Sequence, residues 1–160
     1  MTNYERMIQL VDDIFAAHHD SNQLDVDESV IAQLKKLHPN TVSELIEGDG
    51  PILWAIIIPT TESLMTEFIN KKISESELLN LTPIGIAYDA LYLCSVMILP
   101  EYRNKGLALN TTTQAIQLIC KQHPIKQLFV WAFTHEGSNL ATKIAHQLNL
   151  PLLSRQHEGK

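Results

Sequence analysis

The chain has 160 residues, 45% of them apolar and 19% charged, with a formal net charge of −6. That length is enough for one domain, residues 1–160, to bury a core without metal or disulfide staples. The acidic balance argues against a nucleic-acid binder, which needs a concentrated basic face, whereas here the basic clusters are Lys35-Lys36, Lys71-Lys72 and the Arg103/Lys105 pair.

In chain order, Thr2-Asn3-Tyr4-Glu5 fits a capping box, and Tyr4, Met7, Ile8, Val11, Ile14 and Phe15 follow at helical spacing, predicting a helix over about residues 3–18. HHDSNQLDVDES is a polar loop. A second helix starts near Glu28, with Val30, Ile31, Leu34 and Leu37 inward, and stops before His38-Pro39, because the residue before proline is pushed out of the helical region. TVSELIEGDGPILWAIIIPT reads as two strands around a turn at Glu47-Gly48-Asp49-Gly50, and its second arm, residues 52–58, is apolar without alternation, as in a strand covered on both faces. Residues 60–82 are helical, with Leu64, Met65, Phe68 and Ile69 on one side and a second capping box at Ser74-Glu75-Ser76-Glu77. A strand is predicted over residues 91–99, a helix over about 105–122, a strand over 127–134, a helix over 139–148 and a short strand over 151–154. The order is that of a mixed α/β sheet.

The strand at residues 91–99 runs into its helix through a corner holding Arg103, Asn104, Lys105 and Gly106. A helix that begins in a corner exposes its first backbone N–H groups, and the macrodipole adds partial positive charge there, so the residue types suit an anion, particularly a phosphate. Gly106 removes a side chain where a phosphate would touch the backbone, Ala108 keeps the next turn low, and Arg103 and Lys105 supply charge at the rim. One glycine in a strand-to-helix turn equally describes a solvated helix start. The second glycine and the Gly-Lys-Ser/Thr ending of a Walker loop are absent, and so are the three glycines of a dinucleotide fingerprint.

The segment LCSVMILPEYRNKGLA resembles the acetyl-CoA loop of the GNAT N-acetyltransferase superfamily, in which a strand and a hydrophobic-x-Pro-x-Tyr-Arg lead precede Arg/Gln-x-x-Gly-x-Gly/Ala. Arg103, Gly106 and Ala108 fill the three diagnostic places, and the predicted element order is similar to that fold over about nine-tenths of the chain. The resemblance implies a mostly antiparallel mixed sheet flanked by helices. It also implies that Met97 and Ile98 pair with the pantetheine arm of acetyl-CoA, while Arg103, Asn104, Lys105, Gly106, Leu107 and Ala108 seat its diphosphate.

The family also carries Asn-x-x-Ala-x-x-x-Tyr-x-x-x-Gly-Phe on a later helix. Asn139 fits its start and is carried over as a cofactor-binding residue; Asn149-Leu150 falls where Gly-Phe lies, and asparagine tolerates a left-handed helix exit. Thr142 replaces the alanine and His146 the tyrosine, which in such enzymes protonates the departing thiolate. An imidazole can do the same near neutral pH, although a histidine in a last helical turn also simply relieves the dipole. Some family members place a basic carboxylate on the fourth strand; here Tyr92, two residues before Cys94, holds that place, as a lining residue of the acceptor pocket or as part of the core.

Other signals carry less. His18-His19 point to different helix faces, and His135-Glu136 lacks the following histidine of a zincin, so no metal is expected. Trp54 and Trp131 lie in apolar strand runs and are expected in the core. Cys94 and Cys120 read as reduced core thiols, MTNYERMIQLVDD shows no signal-peptide pattern, and ILWAIII is too short to span a bilayer, which together predict a cytoplasmic protein with no membrane partner. In the resembling fold the third and fourth strands are joined by a short turn; residues 60–82 are a helical insert there, capping the acceptor site or forming a packing or homodimer element. The expected activity is transfer of an acetyl group from acetyl-CoA to a primary amine of a small molecule or peptide, and a CoA-binding module without transferase activity is the alternative.

Overall fold

The computed structural model describes residues 1–18 and 22–156, without the side chains of residues 15–18. Phe15, His18-His19 and the start of the polar loop therefore lie outside the described side chains or residues. The elements are α1 (Asn3–His18), α2 (Glu28–Leu37), β1 (Val42–Glu47), β2 (Gly50–Thr60), α3 (Glu62–Ile69), α4 (Glu75–Leu81), β3 (Ala90–Ile98), a 3-10 turn (Pro100–Tyr102), α5 (Leu107–Cys120), β4 (Gln127–Val130), α6 (His135–Leu148) and β5 (Leu152–Ser154). The five strands form one sheet in chain order. β1–β2 and β2–β3 are antiparallel and β3–β4 and β4–β5 parallel, so the sheet is mixed, with the longer ladders antiparallel. The helical pair α3–α4 stands between β2 and β3, the second and third strands of this chain and neighbours in the sheet.

The local rules read from the sequence account for most element ends. Asp27, Thr61, Ser74 and Thr134 each accept a backbone N–H at a helix start, and Ser74 with Glu77 makes the full capping box. Thr134 starts α6 four residues ahead of the expected Asn139, and the strand before it ends at Val130 instead of residue 134. In the β1–β2 turn Gly48 takes φ +63°, the conformation that a tight hairpin demands of its first central residue. Gly50 has a different reason: a Cβ there would stand 3.3 Å from the Tyr4 backbone nitrogen. The start of α1 lies against that hairpin, with Asn3 Nδ2 donating to the Glu47 carbonyl at 2.7 Å and the Asn3 N–H donating to Asp49 Oδ1 at 2.9 Å.

β2 is buried along nearly its whole length, as its unbroken apolar run predicts. Its later half joins the main core with β3, β4 and α2–α6, while its first half joins a smaller cluster of Met7, Ile52, Leu53, Ala55 and Leu99, against which Tyr102, Leu107 and Ala108 of the corner also pack. Burying those five apolar side chains contributes roughly 1.5–3 kcal/mol for each of the larger ones. Tyr4 and Ile8, expected inward, are exposed, because α1 presents only Met7 fully to the sheet. Trp131 is buried as expected. Trp54 is half-buried, donating from Nε1 to Glu44 at 2.6 Å and meeting Tyr4 edge-on. Cys94 is half-buried and Cys120 exposed, so the expectation of two core thiols fails at Cys120, where α5 turns its last residue to solvent.

At the opposite end of the sheet two imidazoles meet edge-on, His38 after α2 and His123 after α5. Each accepts a backbone N–H at Nδ1, from Asn40 and Tyr88 respectively, and His38 Nε2 bonds Gln122 Oε1. Burial, with His38 adding to it, holds His123 below its ordinary value of 6.5. A base whose folded pKa is depressed takes up fewer protons folded than unfolded, so its contribution is intact above about pH 6.5 and is lost as pH falls through the folded value. Urea unfolding should show stability dropping between pH 7 and 5, and His123→Gln should flatten that drop; an equal slope in the variant would contradict the assignment.

Candidate functional site

The site is built where β4 leaves β3. The parallel ladder runs from Ala90 opposite Gln127 to Leu93 opposite Val130 and then stops, while β3 continues to Ile98. Residues 95–98 pair with β2 on one side, and residues 94–98 have an open edge on the other. On the paired side the register slips between Ile56–Ser95 and Ile57–Leu93, leaving Cys94 as an extra residue in β3, a bulge at the point of divergence. The Leu99 N–H donates to the Ile52 carbonyl. Alternation along an antiparallel ladder then turns the peptide groups of Met97 toward β2 and those of Val96 and Ile98 toward the open edge. Of the two residues expected to pair with an extended ligand, Ile98 offers its backbone there and Met97 does not; Val96 takes its place.

The chain then turns through Pro100–Tyr102 into the corner. Arg103 is extended, Asn104 and Gly106 take φ +64° and +77°, and α5 begins at Leu107 with Gly106 as its N-cap. Gly106 has no side chain to cap the helix, and the N–H groups of residues 104 and 106–109 donate to no acceptor among the described residues, while the turn at Arg103-Asn104 folds the Lys105 N–H back toward the preceding chain. These amides stand at the positive end of a helix dipole, where backbone N–H groups suit an anion. Gly106 is there for its backbone angle, since a Cβ on it would meet nothing within 4 Å. Asn104, Lys105 and Arg103 are exposed around it, Arg103 Nε donating to the Ile98 carbonyl at 3.3 Å and Lys105 Nζ lying 5.8 Å from the Tyr102 ring centroid.

Two braces hold the corner. Leu99, Tyr102, Leu107 and Ala108 pack into the smaller core cluster. Arg6 of α1 makes two hydrogen bonds of 2.6 Å with Glu101, and this guanidinium holds the Glu101 carboxyl down at about 2.

The other expected residues fall elsewhere. Tyr92 is fully buried, stacked on Phe129 and edge-on to Phe68. His146 is exposed in the last turn of α6, beside a shallow surface depression of about 410 Å³ lined by Ala145, Asn149, Leu150 and Pro151. Asn149 exits the helix at φ 55°, ψ 45°, the left-handed conformation its sequence place predicts. Asn139 is exposed in the second turn of α6. The open edge and the amide corner follow one another along the chain, whereas Tyr92 lies in the core and His146 is exposed at the end of α6.

The sequence reading missed Glu75. It is 5% exposed and the only buried carboxylate among the described residues. Its Oε1 accepts the Leu24 N–H at 2.6 Å, and its Oε2 accepts the Tyr92 hydroxyl at 2.5 Å and lies 3.9 Å from Cys94 Sγ. Burial pushes the Glu75 carboxyl up, and the Tyr92 hydroxyl and Leu24 amide oppose that shift. The signal was in the sequence: Glu75 shares a helix face with Leu78 and Leu79, three and four residues on, both buried. Arg155, also buried, reaches toward the same region, its Nη1 donating to the Ile73 carbonyl at 2.8 Å and its guanidinium lying over the Phe68 and Trp131 rings.

No protein-family model matches the chain, and no curated protein is a detectable relative in sequence. Among the described residues no group of three His, Cys, Asp or Glu side chains is placed to hold a metal ion, and no helix is long and apolar enough to cross a membrane.

Because open space surrounds Gly106, the effect of Gly106→Ala should come from φ alone. The variant should lose about 1–2 kcal/mol in urea unfolding, and Gly106→Asn less than half of that, since asparagine visits the left-handed region readily. Equal losses for the two would show that some contact, not the backbone angle, fixes the glycine.

Proposed function

We propose that this chain is an acetyl-CoA-dependent N-acetyltransferase with a GNAT-like fold, acting on a primary amine by direct attack in a ternary complex. The observation that carries the reading is the group of unpartnered amides at residues 104 and 106–109, one short turn after an unpaired strand edge. Linked phosphates are the ligand such amides suit best, because many N–H donors and a helix dipole converge on one compact negative group. An extended amide-bearing arm beside the phosphates would find the Val96 peptide group and the Ile98 N–H on the open edge, as in strand addition, while the Ile98 carbonyl already accepts from Arg103 Nε at 3.3 Å. The chain's residues fit the group: Gly106 leaves room, Arg103 and Lys105 add charge at the rim, and the acidic remainder of the surface suits a cationic acceptor. Bound there, acetyl-CoA supplies the activated acyl carbon. The chain orients it, and the open-edge amides of β3 polarise its carbonyl.

The alternative, a CoA-binding module without transferase activity, draws on the placement of His146. The imidazole that replaces the usual tyrosine is exposed beside Asn149 and Pro151, not on the open edge of β3. Under the transferase reading His146 is assigned the role of acid for the departing thiolate.

Acetyl-CoA at a hundred times its dissociation constant should stabilise the protein by about 2.7 kcal/mol, read as a rise in melting temperature. Gly106→Glu should abolish that rise through repulsion at the amides, and no rise in the wild type at millimolar acetyl-CoA would remove both CoA readings. In a thiol-release assay over polyamines, amino acids, aminoglycosides and peptide N-termini, His146→Phe should lower kcat by about a hundredfold or more while leaving acetyl-CoA affinity within twofold. Retained turnover would retire its role as acid.

A further inference from the structure

The helical insert carries a carboxylate to the one place along β3 where the parallel ladder ends. Glu75 of α4 rests on Tyr92 and Cys94, the residues on either side of the last β3–β4 pair, Leu93 opposite Val130. Phe68 of α3, Trp131 after β4 and Arg155 after β5 surround the same point, at the carboxyl ends of the three parallel strands. In open α/β sheets that is where ligands are received. A core that needed only to fasten α4 to the sheet would do so with an apolar side chain, because burying a carboxylate is costly even when it is hydrogen-bonded. Leu78 and Leu79 on the same face already make that attachment.

We propose that Glu75 is the proton acceptor for the amine substrate, so that the insert, not the strand, supplies the base and sets the preference for a cationic acceptor. This rests on the transferase reading. Oε2 lies 3.9 Å from Sγ of the half-buried Cys94, the first residue of the open edge, and a water between the amine and Oε2 would carry the proton. The step balances without any further reactant. An alkylammonium gives one proton to the Glu75 carboxylate, and the freed nitrogen lone pair forms the N–C bond to the acetyl carbon. The C–S bond breaks, its electron pair leaves on sulfur, and the thiolate takes a proton from His146, which the second nitrogen proton replaces, leaving a neutral amide and CoA thiol. Glu75 then returns its proton to solvent.

The groups facing Glu75 define its titration: Tyr92 and Cys94 from β3, the Leu24 amide from the segment before α2, and Arg155 from beyond β5. The Tyr92 hydroxyl and Arg155 favour its ionised form, and burial opposes them. Activity should accordingly fall on an acid limb as Glu75 takes a proton, above the range of an ordinary carboxylate.

The experiment is the pH profile of kcat/KM for the full chain with acetyl-CoA and the best amine of the panel, alongside acetyl-CoA affinity by calorimetry. Glu75→Gln should lose a hundredfold or more in kcat/KM, lose the acid limb, and keep acetyl-CoA affinity within twofold. Tyr92→Phe, which removes one donor to Oε2, should move the limb up by about one pH unit, and it decides the matter if Glu75→Gln does not fold. A Glu75→Gln enzyme within threefold of wild type, or a limb that stays in place in Tyr92→Phe, overturns the proposal while leaving the transferase reading intact. A wild type that binds no acetyl-CoA or acetylates no amine ends that reading, and this one with it.

Discussion

The early departure of β4 from β3 is the constraint on which the rest depends. A strand inside a sheet normally spends its peptide groups on both neighbours, and an edge strand exposes one row of them to any partner. Here a single strand is interior as far as Leu93 and an edge thereafter. The change falls at the bulge on Cys94, so that the twist, the loss of pairing and the arrival of Glu75 coincide within three residues. Downstream, five residues of edge lead through one short turn into the amide-lined corner. The same strand is thus core at its start and open edge at its end, and its burial changes accordingly from full to partial.

Such an edge has to be kept in place by something other than its own ladder. The smaller core cluster does this from below, with Met7 of α1 and Leu53 and Ala55 of β2 backing the far half of β3 and the corner. Above the near half, α3 and α4 close over Tyr92, Phe129 and Trp131 through Phe68. The two clusters divide the sheet's labour: one secures the fold around β3–β4, and the other stiffens the exposed corner.

Most of the architecture was legible because it is written in local chemistry. Capping residues, the His38-Pro39 stop, the Gly48 turn and the unbroken apolar run of β2 each fix one element by short-range rules. The corner was legible for the same reason, as a strand, a proline turn and a glycine start lie within a dozen residues. What the sequence did not disclose depends on contacts between distant segments. The length of β4, and with it the open edge, is decided by where two strands diverge in space. Glu75 reads as a surface residue in a capping box until its face is compared with that of Leu78 and Leu79, and its partners lie 17 and 19 residues away on another strand. Trp54 and Cys120 were misjudged because an apolar neighbourhood in sequence says little about which side of a strand or helix is covered.

The pair joining Arg6 to Glu101 lies in solvent, unlike the apolar contacts beneath the corner. Mobile ions weaken an exposed pair and leave buried hydrocarbon contacts untouched. In strong brine the corner would thus keep its floor and lose its outer strut, at the same time as dissolved anions crowd the amides it displays. Ionic strength acts on this surface twice over, by slackening the frame and by filling the seat.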